Sequence, residues 1–289
     1  MSEMDGSPHA WFEERAPKCC LLTCIDDATG KFMAGLFVPS EVYWGYVELV
    51  EQYFTKWGRP TCFYVDRHGV FRVNRVDALG GQGITEFTRA MKELDVSLIY
   101  ARTPQAKGRV ERLNRTLQDR LIKELRLKGI STMAEANAFL PFFMEDFNNR
   151  FAVVPKNPNN AHRPLLPEHN LKMIFSQRTT RWLSKNLTFQ YHNIIYQIKS
   201  DRETYAMRNA KIIVYEFKDE SIKIFYKNKE LHCVAYEQQE KQGEIIDAKE
   251  MNRAIDRLQT TKLKEGIKYK PLINHPYKRF FKRKNLISI

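Results

Sequence analysis

The chain has 289 residues, with 47 Lys and Arg against 34 Asp and Glu, a net charge of +13. Hydrophobic residues make up 43%, enough for a real core, which excludes wholesale disorder, and no apolar run nears the ~18 residues a membrane span needs. Five cysteines (Cys19, Cys20, Cys24, Cys62, Cys233) with no C-x-x-C pair, and no basic-then-apolar leader at the start, exclude a disulfide framework, a zinc module and a secretory signal and fit a reduced, cytoplasmic compartment.

In chain order, residues 1–4 offer little of a strand, so the element ahead of residue 19 is expected to be nearly absent. Residues 19–25 read as a buried strand, 26–31 as turn chemistry and 32–38 as the returning strand of a hairpin. Ser40 is a plausible N-cap for a helix running through Phe54, stopped by Gly58-Arg59-Pro60. Residues 61–65 form a short strand ending at Asp66. A Gly-rich loop over 72–83 precedes a helix over 85–94 and a strand over 96–101.

The next helix is the most strongly patterned element. Val110, Leu113, Leu117, Leu121 and Leu125 make an apolar stripe, and Glu111, Asn114, Arg115 and Gln118 share a polar face at the same spacing. Gly129 ends it. Thr132 and Glu135 make a capping-box start for a further helix, in which Pro141 predicts a kink. Trp44, Trp57, Phe142 and Phe143 read as core.

The second half changes character. Pro155, Pro158, Pro164 and Pro167 mark a linker, followed by β-rich runs over 187–198, 211–217, 221–226 and 230–236 with hairpin turns at 218–220 and 227–229. These predict a small all-β barrel. A weak helical pattern spans 245–262. The charge is uneven: residues 1–165 hold 22 basic and 20 acidic residues, whereas the last 28 hold nine Lys and Arg and one Glu. Lys278, Arg279, Lys282, Arg283 and Lys284 surround Phe280 and Phe281, a composition that can neutralise phosphates and stack on bases.

Four segments carry a resemblance. Asp5-Gly6-Ser7-Pro8-His9, Cys24-Ile25-Asp26-Asp27-Ala28-Thr29, Tyr64-Val65-Asp66-Arg67-His68-Gly69 and residues 103–114 (TPQAKGRVERLN), in that order, resemble the catalytic core of DDE-type insertion-sequence transposases, relatives of retroviral integrase. The resemblance implies an α/β, RNase H-like core over 1–165 (a mixed sheet with flanking helices), a linker over 166–181, the small β-barrel over 182–237 and a basic, partly helical or disordered tail over 238–289. It implies a polynucleotidyl transferase with Asp5, Asp66 and Glu111 holding two Mg2+ or Mn2+ ions. Phosphodiester transfer needs an attacking oxygen activated and a leaving oxygen stabilised, and hard cations for that work want carboxylate oxygens.

Asp26 and Asp27 follow a clearer strand than Asp5 does. In an RNase H-like sheet, however, the hairpin supplies the second and third strands and the first ligand lies before it, which leaves Asp5 and gives Asp26 and Asp27 to turn capping. Lys107, Arg109, Arg112 and Arg115 flank Glu111 and would meet phosphates. His68 reads as an ordinary loop residue; His9 and Trp11 carry no assignment.

The expected partners are DNA, as transposon terminal repeats and target, and further copies of the chain, at least a dimer, with no membrane and a nucleoid-associated location. Family members usually carry helix-turn-helix modules upstream, so an N-terminally truncated chain is expected. The rival expectation is an inactive DNA-binding remnant in which a broken first strand spoils the site.

Overall fold

A computed structural model describes residues 1–73, 83–101, 108–199 and 207–236. Residues 1–236 open on a five-stranded sheet built from β1 (Ser2–His9), β2 (Cys19–Asp26), β3 (Phe32–Val38), β4 (Cys62–Val65) and β5 (Ser97–Tyr100), in the order β3-β2-β1-β4-β5. β1, β2 and β3 are antiparallel neighbours, while β4 runs parallel to β1 and β5 parallel to β4. This is the RNase H-like arrangement.

The expectation of a nearly absent first strand is corrected. β1 pairs with β2 along its whole length, from Ser2↔Asp26 to His9↔Cys19, and occupies the centre of the sheet. Its sequence, SEMDGSPH, lacks the apolar alternation that marks strands because both its faces serve other needs. Met4 enters the core, Gly6 faces a carboxylate, and Glu3, Asp5 and Ser7 make polar contacts with a helix.

Helices cover both sheet faces, so β2 and β3 read as unbroken apolar runs rather than alternating ones. On one side α1 (Tyr43–Trp57) and α2 (Glu86–Glu93) close over Met4, Cys20, Leu22 and Phe63. On the other, α3 (Gly108–Leu127) and α4 (Met133–Phe151) close over Leu21, Ile25 and Phe37, and the predicted stripe of α3 is buried as expected. α1 starts at Tyr43 with Val42 at its N-cap and no side-chain cap, not at Ser40. The Thr132–Glu135 capping box is formed, and α4 continues through Pro141. Phe142 is 71% exposed, contrary to its core assignment, while Phe143 is buried.

α4 also finishes the edge of the sheet. Asn148 accepts from Phe32 N–H at 2.7 Å and donates to Phe32 O at 3.0 Å; Asn137 does the same for Phe37 at 2.7 and 3.0 Å. Between them, the β2–β3 register shift leaves Met33 O to the indole of Trp57 at 3.0 Å. Side-chain amides thus replace the strand that β3 lacks on its outer side.

The connecting segment after α4 is strapped to the core. Arg59 is buried and donates to Leu94 O and Pro164 O. Tyr53 OH lies 2.7 Å from both Ser2 Oγ and His162 Nε2. A short helix, α5 (Leu171–Ile174), then leads into seven strands: β6 (Gln177–Trp182), β7 (Thr188–Tyr191), β8 (Ile194–Ile198), β9 (Lys211–Glu216), β10 (Ile222–Tyr226), β11 (Lys229–Leu231) and β12 (Cys233–Tyr236). They form two antiparallel sheets, β11-β10-β9-β6 and β12-β8-β7, around Phe189, Ile198, Ile212, Val214 and Ile224. Pairing begins at Gln177, inside the stretch expected as linker, and the strap and α5 carry their own contacts to the core. Arg89 holds Ile174 O and Ser176 O, and Arg178 meets Glu93 at 2.6 Å. The 245–262 helix and the basic tail lie outside the described residues, as does most of the Gly-rich loop.

Two outcomes follow. Asn148→Ala strands the outward N–H and C=O of Phe32 and should cost about 1–3 kcal/mol in denaturant-unfolding free energy, against a near-neutral effect for an exposed α4 substitution such as Glu145→Ala. Burial lowers the pKa of His162 from its ordinary 6.5, so the stability it contributes is complete above 6.5 and is lost as pH falls through that value. Unfolding free energies measured over about pH 5–7.5 should slope less steeply in His162→Gln than in the parent chain.

Candidate active site

The site grows from the way α3 lies across β1. Residues two apart on a strand are ~6.6–6.8 Å apart and residues four apart on a helix are ~6 Å apart, so the two spacings nearly match. Val110 N–H donates to Glu3 Oε2 at 2.9 Å, Asn114 Nδ2 to Asp5 Oδ2 at 2.8 Å, and Gln118 Nε2 to Ser7 Oγ at 3.0 Å. Thr23 stands opposite Asp5 in the β1–β2 register, and its hydroxyl lies 3.2 Å from Asn114 Oδ1 and 3.3 Å from Asp5 O. With its oxygen facing that hydroxyl, Asn114 must point its amide at Asp5. Asp5 is therefore held from two elements, α3 through Asn114 and β2 through Thr23.

Asp66 directly follows β4. The parallel β1–β4 register pairs Ser2 with Phe63 and Glu3 with Tyr64, and Asp5 and Asp66 each come two residues after the second pair. Asp66 Oδ1 accepts the N–H of His68 at 2.8 Å. The His68 ring lies 3.8 Å from Glu41 Oε2, which also accepts from Tyr46 OH at 3.1 Å. Burial, with the charge of Glu41 next and that of Asp5 after it, pushes the Tyr46 phenol well up, so it remains a donor. A Cβ on Gly6 would fall 2.1 Å from Glu41 Oε1, so the glycine beside Asp5 lets that carboxylate lie against the strand.

Glu111 sits in the first turn of α3, where the helix dipole favours a negative charge, and it is exposed. The polar face expected for α3 divides: Asn114 and Gln118 turn to β1, whereas Glu111, Arg112 and Arg115 face outward. Arg109 forms an ion pair with Asp27 at 2.8 Å, and Asp26 caps its turn through Thr29 N–H at 3.0 Å. Among the described residues no three or more His, Cys, Asp or Glu are gathered closely enough to hold a metal ion. Lys107, Lys278, Arg279, Lys282, Arg283 and Lys284 lie outside the described residues. Trp11 is buried and donates to Ser7 O at 2.9 Å, with His9 edge-on to it.

Glu3, Thr23 and Glu41 were not among the expected site residues. For Glu3 a signal existed: Glu3, Asp5 and Ser7 recur at every second position, the period of one strand face.

A mixed sheet of order β3-β2-β1-β4-β5, with Asp5 inside β1 and Asp66 directly after β4, defines the class of the fold as RNase H-like. Sequence comparison defines the relatives. No family model matches the chain. A putative transposase, y4bF, of Sinorhizobium fredii (strain NBRC 101917 / NGR234) is 42% identical over 247 residues, covering 85% of this chain and 53% of that protein. The transposase for insertion sequence IS1202 of Streptococcus pneumoniae is 31% identical over 279 residues, covering 96% of this chain and 57% of its own. The chain is similar to both of these bacterial proteins and spans about half the length of the curated relatives it matches. Among solved structures, the HTLV-2 integrase catalytic core domain in complex with magnesium aligns at 16% identity with a TM-score of 0.38, over 56% of this chain and 94% of that one. Among the described residues, no helix is long and apolar enough to cross a membrane.

Asn114→Leu removes the amide from Asp5 and leaves the Thr23 hydroxyl without its side-chain partner. A loss of about 1–3 kcal/mol in unfolding free energy is expected, with Asn114→Ser intermediate.

Proposed function

We propose that the chain is the catalytic portion of a DDE-type transposase, performing metal-dependent phosphodiester cleavage and strand transfer at transposon ends. The observation that carries the reading is Asp5 within β1 and Asp66 directly after β4, the strand that runs parallel to β1, with Glu111 on the first turn of a helix docked to β1. The donor chemistry fits a hard divalent cation: three carboxylates, all oxygen, with no His or Cys among them. Two bound Mg2+ or Mn2+ ions supply activation of the attacking oxygen and stabilisation of the leaving one.

The chain's own residues do the rest. Asn114 and the His68 N–H each hold one oxygen of Asp5 and Asp66, so the carboxylates need no reorganisation when a phosphate arrives. Glu111 brings the third carboxylate from α3. Arg112 and Arg115, outward on the same helix, neutralise backbone phosphates and set the register of DNA across the site. The basic tail adds sequence-independent attraction. In the reaction, water attacks a terminal phosphodiester and frees a 3′-hydroxyl, and that hydroxyl then attacks target DNA while a target 3′-oxygen leaves. Two DNA ends handled together call for at least two copies of the chain.

The rival reading, an inactive DNA-binding remnant, drew its force from a broken first strand. β1 pairs with β2 from Ser2 to His9 and lies between β2 and β4, which counts against that ground.

Glu111→Gln should abolish Mg2+-dependent nicking of a terminal-repeat duplex while leaving duplex binding intact; retained nicking would sink the assignment. Arg112→Ala and Arg115→Ala should weaken binding equally across unrelated sequences, each reducing the slope of log affinity against log salt by about 1.

A further inference from the structure

We propose that Glu3 is a positioning residue for Glu111, fixing the first turn of α3 over β1; the proposal rests on the reading of Glu111 as a metal-holding carboxylate. Glu3 lies two residues before Asp5 on the same strand face and is 3% exposed. Its Oε2 accepts at 2.9 Å from the N–H of Val110, the residue immediately before Glu111.

A carboxylate this deeply buried is costly unless it is hydrogen-bonded, and a helix N-terminus offers compensation. The first N–H groups of a helix have no partner within it, and its dipole favours an anion there. A helix's own N-cap side chain ordinarily takes that place. Here a side chain from the neighbouring strand fills it, so one hydrogen bond both caps α3 and ties it to the sheet.

The three contacts between α3 and β1 show why the residue is Glu. Ser7, the shortest of the strand side chains, meets the long Gln118; Asp5 meets the shorter Asn114; at Val110 the helix offers only its backbone, and the strand supplies its longest side chain. Reach, rather than charge, is the property in use. Arg109 adds a second anchor to the turn through Asp27, but that pair is about half exposed on the Arg109 side and weak in water. Glu111 therefore follows two anchored residues, and the buried one bears most of the constraint.

Three substitutions separate reach from charge. Glu3→Gln keeps length and an acceptor, Glu3→Asp keeps charge but loses a methylene, and Glu3→Ala loses both. In the metal-free full chain, amide exchange across residues 108–114 should accelerate at least about tenfold in the Asp and Ala variants and stay near the parent rate in Gln. Calorimetric Mn2+ affinity and the kcat of Mg2+-dependent nicking should fall by about 10–100-fold in the same two variants, with KM for DNA unchanged. If Glu3→Ala does not fold, the Asp–Gln pair carries the same comparison.

A Gln variant as impaired as Asp, or faster exchange with Mn2+ affinity and kcat unaltered, overturns the proposal. Glu111→Gln is the reference. If it binds Mn2+ and nicks as the parent does, the metal reading of Glu111 fails and takes this proposal with it, a result distinct from unaltered behaviour of the Glu3 variants beside a dead Glu111→Gln.

Discussion

The rest of the molecule depends on the near-match between every second residue of β1 and every fourth residue of α3. A strand and a helix can face each other through polar side chains only if the two repeats stay in step. Over Glu3, Asp5 and Ser7 they do, for long enough to make one buried and two part-buried polar contacts between a central strand and the helix above it. The opposite edge of that helix is apolar and packs on Leu21, Ile25 and the α4 side chains, so the polar row runs beside a buried one. A slip of one residue on β1 would turn Asp5 to the face where Met4 and Gly6 now sit. Register and candidate site are therefore the same constraint seen from two sides.

The opposite face works differently. There the sheet meets α1 and α2 through close packing of Tyr46, Tyr53, Phe63, Phe71 and Phe87, and polar groups enter only where they serve a neighbour. Glu41 is the clearest case. It lies under the glycine next to Asp5, takes the Tyr46 hydroxyl and approaches the ring of His68, whose own N–H holds Asp66. The two aspartates are thus steadied from opposite faces, Asp5 by α3 and Asp66 by a loop that leans on the α1 side.

Much of this was legible in the sequence, for reasons that can be named. The hairpin of β2 and β3 announced itself because strands covered on both faces must be apolar throughout. α3 did so because a helix over a sheet needs an apolar stripe, and the turn of Asp26 did so because an Asx turn has its own composition. β1 was hidden because its side chains answer to a helix rather than to a hydrophobic layer, which removes the alternation by which strands are recognised. Its aspartate could be assigned only through the topology that the hairpin implied. The roles of Glu3, Thr23 and Glu41 were out of reach because each depends on partners 91 to 107 residues away, or, for Glu41, on the missing side chain of Gly6. The exposure of Phe142 was missed for the opposite reason: an aromatic in a helix carries no mark of the side it faces.

The amide staples on β3 bear on how any other strand could join this sheet. An open strand edge is the cheapest place for a protein to recruit another, because the backbone supplies the bonds and any strand will serve. With Asn148, Trp57 and Asn137 occupying outward groups of Phe32, Met33 and Phe37, a visiting strand would have to displace side chains that already satisfy them. Association along this side of the sheet is thereby confined to surfaces that discriminate, where shape and charge decide which partner fits.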